Sequence, residues 1–595
     1  MDSKRIEEIA TTVIKTELLK CPFLESFIGT NDRTPSWDGE VFVYSKENHT
    51  KDDWTGRVPI QVKGTERSFP DTASFSLSVS DLKNYYKDGG CMLFLVGGIS
   101  TMSTGTIYYS DLQVFDLYKI LKTVNHNKTR TIFFERFPVE NIAEISTIFA
   151  NSAENRKMQT SFVGKELISL DQLFNDGRSS ESFMLSTSCV GSSPDEAGRF
   201  ISSHPSYVYA KAEGLDIDIP VDKANNLIVT RVIDGKVAVK GREYYPNYRI
   251  EYRNGVPTIR FGKSFSITID EKKWSMTFHF DPAGTLREQI MDGSFYIAMI
   301  EAQEIELNNA RSPIKKEVDI EPYKKALHDF QDVQKALDYL GVTEDLDLAA
   351  LSEKDKHNLK ALVNSVVYKK RIRLPYADGQ VVGGPFDVGN LSIWIWAIKQ
   401  DTGEYIIDNF FDNHKIVIFD EKDNKQNNPI PVSQYLLLDT NAFLRASNMN
   451  YESVEKGITE MNHHPSILDR TNCLVLSILN AYDQKKPKDD RLLDLADSIC
   501  KWISEDPNVV FPICRLNQLQ IKKRKQPLTS KDVIELSRFA DEGNEPMIRC
   551  GAFLLLDDSA EAQKCFEQLT PTDQEAFLTY PICFFGRLTI SKNNV

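Results

Sequence analysis

The run CMLFLVGGI at 91–99 is apolar at every position up to its glycines. A strand that offers one face to a core alternates, whereas a strand apolar on both faces must be covered on both, as in the centre of a layered α/β sheet. Its neighbours do alternate. EVFVY (40–44), VPIQVKG (58–64), SFSLSV (74–79) and TIYYSDL (106–112) read as strands. Residues 3–20 read as a helix capped by Ser3, with Glu7 and Glu8 in its first turns and Ile6, Ile9, Ala10, Val13, Ile14 and Leu18 along one side. Pro22, Gly29 and Pro35 then break the pattern. SDLKNYYKDGG (80–90) reads as a short helix capped by Ser80 and closed by Gly89 and Gly90, and LQVFDLYKIL (112–121) as another. The expectation is a compact α/β domain over residues 1–155.

With 595 residues the chain exceeds a single hydrophobic core. The segments NLIVTRVI, KVAVKG, YRIEYRNG, PTIRFG, SFSITID and WSMTFHF, separated by Gly and Asn-Gly turns, predict an antiparallel sandwich or barrel. A charged, Leu- and Ala-rich stretch at 316–370 reads as a helical insertion, and strand character returns at 379–420. This sets a β-rich middle region at 156–435. From 436 to 595 the pattern is helical, with helices near 469–484, 489–504, 529–541, 544–557 and 559–569, in the manner of an irregular tetratricopeptide-like solenoid. The fold class expected is multidomain α+β.

A formal net charge of -14 argues against a broad nucleic-acid coat, which needs a basic surface, but permits a local basic groove. The nine cysteines form no CxxC pair, which argues against a zinc ribbon and for a reducing compartment. The charged N-terminus lacks a signal-peptide core, and no run of about eighteen apolar residues occurs. A cytoplasmic location and no membrane partner are the expectations.

Chemistry concentrates in WDGE (37–40) and QVKG (61–64). Residues two apart share a strand face, so Gln61 and Lys63 point together, as do Asp38 and Glu40 if their strand starts early. Carboxylate and amide oxygens suit a hard cation such as Mg²⁺, with the Val62 carbonyl as a further donor. Such an ion polarises a phosphate and activates a bound water, and Lys63 would orient that water or stabilise developing charge. Taken singly, each motif reads as a solvated turn or a polar edge strand.

Other candidates carry less. VGGI (96–99) and GGP (383–385) are not phosphate loops. Adjacent His463 and His464 point apart, Trp394 and Trp396 share a core-like strand face, and Cys189 lacks a nearby histidine. QIKKRKQ (520–526) is the densest basic run and reads as a solvated helix end that could touch phosphates.

The order of elements, from the helix carboxylate Glu8 (or Glu7) through WDGE, QVKG, FSLSVSDLKNYY, LFLVGG and TIYYSDL, resembles the restriction-endonuclease-like PD-(D/E)xK nuclease superfamily. Within it, the closest likeness is to bacterial domains with a D…QxK core at the N-terminus of phage-defence-type multidomain proteins. The likeness covers about the first 125 residues. It implies that Asp38, Gln61, Glu8 and Glu40 hold Mg²⁺ (or Mn²⁺), that Asp38, Gln61, Lys63 and Glu8 form the catalytic set, and that the substrate is nucleic acid, DNA before RNA. A protein partner or a homo-oligomer would regulate the nuclease. The departure is Gln61, a neutral amide where many relatives carry a carboxylate. It leaves open a catalytically inactive binding module whose helical domain is the partner platform.

Overall fold

A computed structural model of the chain describes all residues except 30–35, 125–126, 176–182, 213–216, 271–272, 274, 376, 413, 420–428, 507–508, 510, 542, 544 and 591–595. Pro35, the expected breaker, Trp274 at the head of one expected strand and Asn544 at the start of one expected helix lie outside the described residues. The chain is mixed α/β with several sheets, and it divides into two compact units. One comprises residues 1–237, 245–261 and 266–280, and the other 238–244, 262–265 and 281–595.

The first unit begins with α1 (Ser3–Leu18), β1 (Leu24–Ile28), β2 (Gly39–Tyr44), β3 (Trp54–Thr65), β4 (Thr72–Ser78), α2 (Val79–Asp88) and β5 (Gly90–Gly97). It continues through β6 (Thr106–Gln113), α3 (Val114–Lys122), β7 (Thr129–Arg136) and α4 (Ile142–Gln159). The seven strands form one sheet in the order β1-β2-β3-β5-β6-β7-β4. Only the β3–β5 pairing is parallel.

β5 answers the apolar run: all eight of its residues are buried. On one face Met92 and Phe94 join Ile60 and Val62 of β3 beneath Ala10 and Ile14 of α1 and Ile145 and Phe149 of α4. On the other, Leu93 and Leu95 pack with Leu82 and Tyr85 of α2 and Leu117 of α3. Each large apolar side chain so buried contributes about 1.5–3 kcal/mol, which is why a strand apolar on both faces settles at the centre of the sheet.

Two helix starts differ from expectation. Asp2 caps α1 rather than Ser3, and Ser78 caps α2 rather than Ser80. The Ser78 hydroxyl accepts the Asp81 N–H at 3.0 Å and itself donates to the Asp81 carboxylate at 2.7 Å. Gly89 closes α2 in the left-handed region, as read from sequence. LESFI (24–28), expected within a broken stretch, is the edge strand β1.

Past α4 the unit carries α5 (Leu170–Asn175), β8 (Phe183–Ser186), α6 (Pro194–Ser203), β9 (Ser206–Ala212) and β10 (Asp218–Ala224), the strands forming an antiparallel sheet β10-β9-β8. Strands at 229–239, 242–253, 256–261, 265–270 and 275–280 then follow one another as neighbours, the arrangement of an open meander rather than a closed barrel.

In the second unit, helices Glu321–Tyr339 and Glu353–Val366 share a core with the antiparallel strands Val381–Val388, Leu391–Lys399 and Tyr405–Asn409, through Leu337, Leu362, Ile393 and Ile407. Trp394 and Trp396 are buried, in a core with Ile478 and Ile499 of later helices. The remainder is helical, from Thr440–Arg445 to Pro571–Leu578, and includes Phe511–Lys525, of which the sequence showed only the basic end at 520–526. Among the described residues no helix is long and apolar enough to cross a membrane.

Candidate active site where β2 and β3 part

The β2–β3 ladder ends at Gly39↔Ile60, while β3 pairs with β5 from Ile60 to Thr65. From Ile60 onward β3 therefore leaves β2, and its edge toward β2 would be open. Asp38 fills that edge. Its N–H donates to the Ile60 carbonyl at 3.0 Å, which continues the register and sets Asp38 opposite Gln61. Its Oδ2 accepts the Val62 N–H at 2.7 Å and the Gln61 Nε2 at 2.5 Å. Residues opposite one another across an antiparallel pair share a face, so the acid and the amide meet because of register.

Two glycines make this geometry possible. A Cβ on Gly39, which has φ +152°, would lie 2.0 Å from the Phe27 carbonyl oxygen of β1. A Cβ on Gly64 would lie 2.8 Å from Ile6 Cγ2 and 3.0 Å from the Ala10 Cβ of α1. The glycines of WDGE and QVKG thus serve close approach of backbone to its neighbours.

Gln61 is only 5% exposed. Its Oε1 accepts the Tyr85 hydroxyl of α2 at 3.3 Å, and its Nε2 is also 3.2 Å from the Val62 carbonyl. Burial pushes the Tyr85 phenol far above its ordinary range, with smaller contributions from Cys91, Asp81 and Asp38. It therefore remains a neutral hydroxyl, able to donate or accept. As placed, the amide turns its nitrogen to Asp38. For Gln61 to ligate a cation beside Asp38 the amide must turn over, offering Oε1 to the ion and Nε2 to the Tyr85 oxygen.

Lys63 lies two residues on along the same face of β3 and is half-buried. Among the described residues its ammonium makes no hydrogen bond or ion pair. Glu40 is on β2 but turns to Arg57, its carboxylate 2.7 Å from the guanidinium. Glu8 is exposed on α1. At 100° per residue it lies about 200° from Ala10, which is buried against the sheet, so its carboxylate faces away. Glu7 lies nearer the buried stripe of Ala10 and Ile14 but is also exposed. The structure thus brings together Asp38, Gln61 and Lys63, and leaves Glu8 and Glu40 outside.

Supporting contacts that the sequence did not reveal brace the site against α2. The Ser36 hydroxyl donates to Asp81 at 2.7 Å and accepts the Asn84 amide at 2.9 Å, which ties the chain just before Asp38 to α2. Trp37 meets the Tyr85 ring edge-on at 6.0 Å. The one sequence signal for this brace is Ser-x-x-Asp at 78–81, a helix-start pattern whose aspartate is shared with Ser36.

Among the described residues no group of three or more His, Cys, Asp or Glu side chains could hold a metal ion. Among the described residues the donors at this spot are one carboxylate (Asp38), one amide oxygen (Gln61) and one backbone carbonyl (Val62). Mg²⁺ keeps several waters and takes as few as one or two carboxylates, so this set fits a largely hydrated Mg²⁺ and not a dehydrated cage.

The other sequence candidates are structural. Lys522, Lys523, Arg524 and Lys525 each pair with a carboxylate, Asp532, Asp557, Asp483 and Asp494 respectively, at 2.5–2.7 Å. His463 stacks on Trp502 at 4.4 Å, and His464 caps the helix that follows it. Burial pushes the Cys189 thiol up to about 11, the reverse of an activated nucleophile.

No family model, no curated protein and no solved structure matches the chain.

Proposed function

We propose that the first unit is a metal-dependent nuclease that hydrolyses phosphodiesters, of DNA in preference to RNA. The observation that carries this reading is the juxtaposition of the Asp38 carboxylate and the Gln61 amide at 2.5 Å, at the point where β2 and β3 part, with Lys63 next on the same face. Support also comes from the strand order: a β1–β2–β3 antiparallel meander followed, across α2, by β5 parallel to β3. The first of these is the pairing of residues that the superfamily resemblance implies.

Bound Mg²⁺ would polarise the phosphate and activate a water. The chain's own residues do the rest. The Val62 N–H fixes the Asp38 carboxylate. Gln61 would hold the ion through its amide oxygen once the amide turned over, with Nε2 then facing the Tyr85 hydroxyl. Lys63, a cation with no carboxylate partner among the described residues, lies where it would offset negative charge developing on the phosphate. The wider role that follows from the resemblance is effector of a phage-defence system, regulated through the remaining domains.

A second reading has its own observation. Glu8 faces away from the site, so among the described residues Asp38 is the single carboxylate there, and the N-terminal unit would bind nucleic acid or protein without cutting. One experiment separates the two: incubate the full chain and Lys63→Ala with plasmid DNA and structured RNA in Mg²⁺, Mn²⁺ or EDTA. Metal-dependent cleavage lost in the variant is the expected result. Intact substrate under every condition, with measurable binding, establishes the second reading instead.

A further inference from the structure

On the α4 face of the first unit, away from Asp38, a cavity of about 280 Å³ lies among β6, β7, α4, the segment joining α6 to β9, and β10. Its floor is Asp111 of β6. The Asp111 Oδ1 accepts the Gln113 amide at 2.7 Å and the Ser152 hydroxyl of α4 at 2.9 Å. Oδ2 accepts nothing among the described residues.

The nearby cation does not neutralise this carboxylate directly. Lys223 donates to the Asp116 carboxylate at 3.0 Å, to the Tyr207 hydroxyl at 3.0 Å and to the Asp111 backbone carbonyl at 3.1 Å, which uses its three protons. The histidine of the cavity wall is committed too, since His204 Nε2 sits 3.1 Å from Glu144. Among the described residues the cavity therefore offers two charged acceptors that no hydrogen bond fills, Asp111 Oδ2 at its floor and the exposed Glu135 carboxylate on β7, and of these Asp111 is the one withdrawn from solvent. An unfilled acceptor on a half-buried carboxylate favours an N–H or N⁺–H donor from a ligand.

The walls narrow the class. Phe133 of β7 lies along the cavity with its ring 75% exposed, and Phe200 stacks on His204 at 4.2 Å on the opposite strand connection. Aromatic faces beside a carboxylate suit a flat heterocycle carrying an amino group. The volume stands at the small end of ligand pockets, roughly 300 Å³ upward, which suits one ring system with at most a single sugar. The Ser188 hydroxyl on the rim makes no hydrogen bond among the described residues and is available to such a sugar.

From this geometry we infer that the cavity binds an amino-bearing nucleobase or nucleoside, whose exocyclic amine donates to Asp111 Oδ2 while its ring lies against Phe133. The site is separate from Asp38 and does not depend on the nuclease reading.

The test is calorimetric titration of the full chain with adenosine and cytidine, each against the analogue lacking only the amine, purine riboside and pyrimidin-2-one riboside. At least one amino nucleoside should bind about tenfold or more tighter than its analogue, because a hydrogen bond to a charged acceptor is lost. Asp111→Asn should erase that preference, and Phe133→Ala, a change at an exposed ring, should weaken both members of the pair. If Asp111→Asn fails to fold, the amine preference and Phe133→Ala still decide. No heat from any of the four ligands at millimolar concentration overturns the inference, as does equal affinity within each pair or binding indifferent to Phe133→Ala. Since the readout is binding and not cleavage, its failure leaves the nuclease reading untouched.

Discussion

The helix at 511–525 and the strand β3 both present lysine, with opposite outcomes. In the helix, four consecutive basic residues each close on a carboxylate, and Arg524, 1% exposed, is held by Asp483 together with the Pro581 and Gln520 carbonyls. On β3 the single ammonium of Lys63 has no such partner among the described residues, although Asp38 lies at the same strand end. Density of charge in a sequence therefore says little about where charge is available. A cation spent on an ion pair cannot also offset a phosphate, whereas one held beside a carboxylate without closing on it can.

The sharpest way to break this contrast is to remove each cation in turn. Lys63→Ala should cost about 10²–10⁴-fold in metal-dependent cleavage and little in folding, read by plasmid nicking rates beside thermal unfolding. Loss of fold instead would show that Lys63 is a structural cation after all. Arg524→Ala should do the reverse. Removing one partner of a buried pair leaves Asp483 uncompensated and costs about 3–5 kcal/mol, visible as a lowered urea midpoint with nucleic-acid binding unchanged. Weakened binding in a still-folded Arg524→Ala would restore 520–526 as a phosphate contact.

Asp111 stands between those extremes: partly hydrogen-bonded, yet held up to about 6 chiefly by burial, with Lys223 opposing. The other charged groups beside it are Asp116, Glu135 and His204. A carboxyl whose folded value lies above its unfolded value near 3.9 binds more protons folded than unfolded. Its stabilising contribution is complete below about pH 4 and is lost as pH rises through about 6. The full effect is about 3 kcal/mol. Urea unfolding at pH 5 and pH 7.5 should show wild type losing more stability across that interval than Asp111→Asn. Parallel curves would mean that the carboxylate is better solvated than its surroundings imply.

Much of this could be read ahead of the structure, and the reasons it stopped are physical. β5 was legible because two-sided burial writes itself as a continuous apolar run. The pairing of Asp38 with Gln61 was only half legible. Alternation gives the face of each residue, but the register that sets 38 opposite 61 depends on where the hairpin closes, through the polar stretch 45–53. Glu8 is the instructive miss. The stripe Ile6, Ala10 and Ile14 already fixes the phase of α1 and sends Glu8 to the far side, while the resemblance alone pulled it into the site. β1 was hidden because Pro22 and Gly29 bracket it so closely. Ser36 and Asn84 were out of reach, since the bonds that Ser36 makes to Asn84 and Asp81 are tertiary.

Gln61→Glu tests the site from the other side. In the absence of metal it sets two carboxylates against each other where a 2.5 Å hydrogen bond stood, a cost of about 1–3 kcal/mol. Mg²⁺ should repay that cost by binding between them. The expected signature is a melting temperature below wild type in EDTA that rises more steeply with added Mg²⁺. A variant as stable as wild type in EDTA and indifferent to Mg²⁺ would detach residue 61 from any metal site.

The smallest effect belongs to Tyr85→Phe. Its hydroxyl donates to the Gln61 oxygen at 3.3 Å, a long bond worth about 1 kcal/mol at most. Without metal, the change leaves a carbonyl oxygen short of one donor, which folded proteins tolerate fairly well. With the amide turned to offer its oxygen to Mg²⁺, the change strands an N–H against a phenyl edge, which they tolerate poorly. The penalty thus falls more heavily on the metal-bound state. Half-activation of cleavage should need about threefold to tenfold more Mg²⁺ than in wild type, with the rate at saturating metal little altered. An unchanged Mg²⁺ requirement would mean that Gln61 does not turn, and that Asp38 and Lys63 act without it.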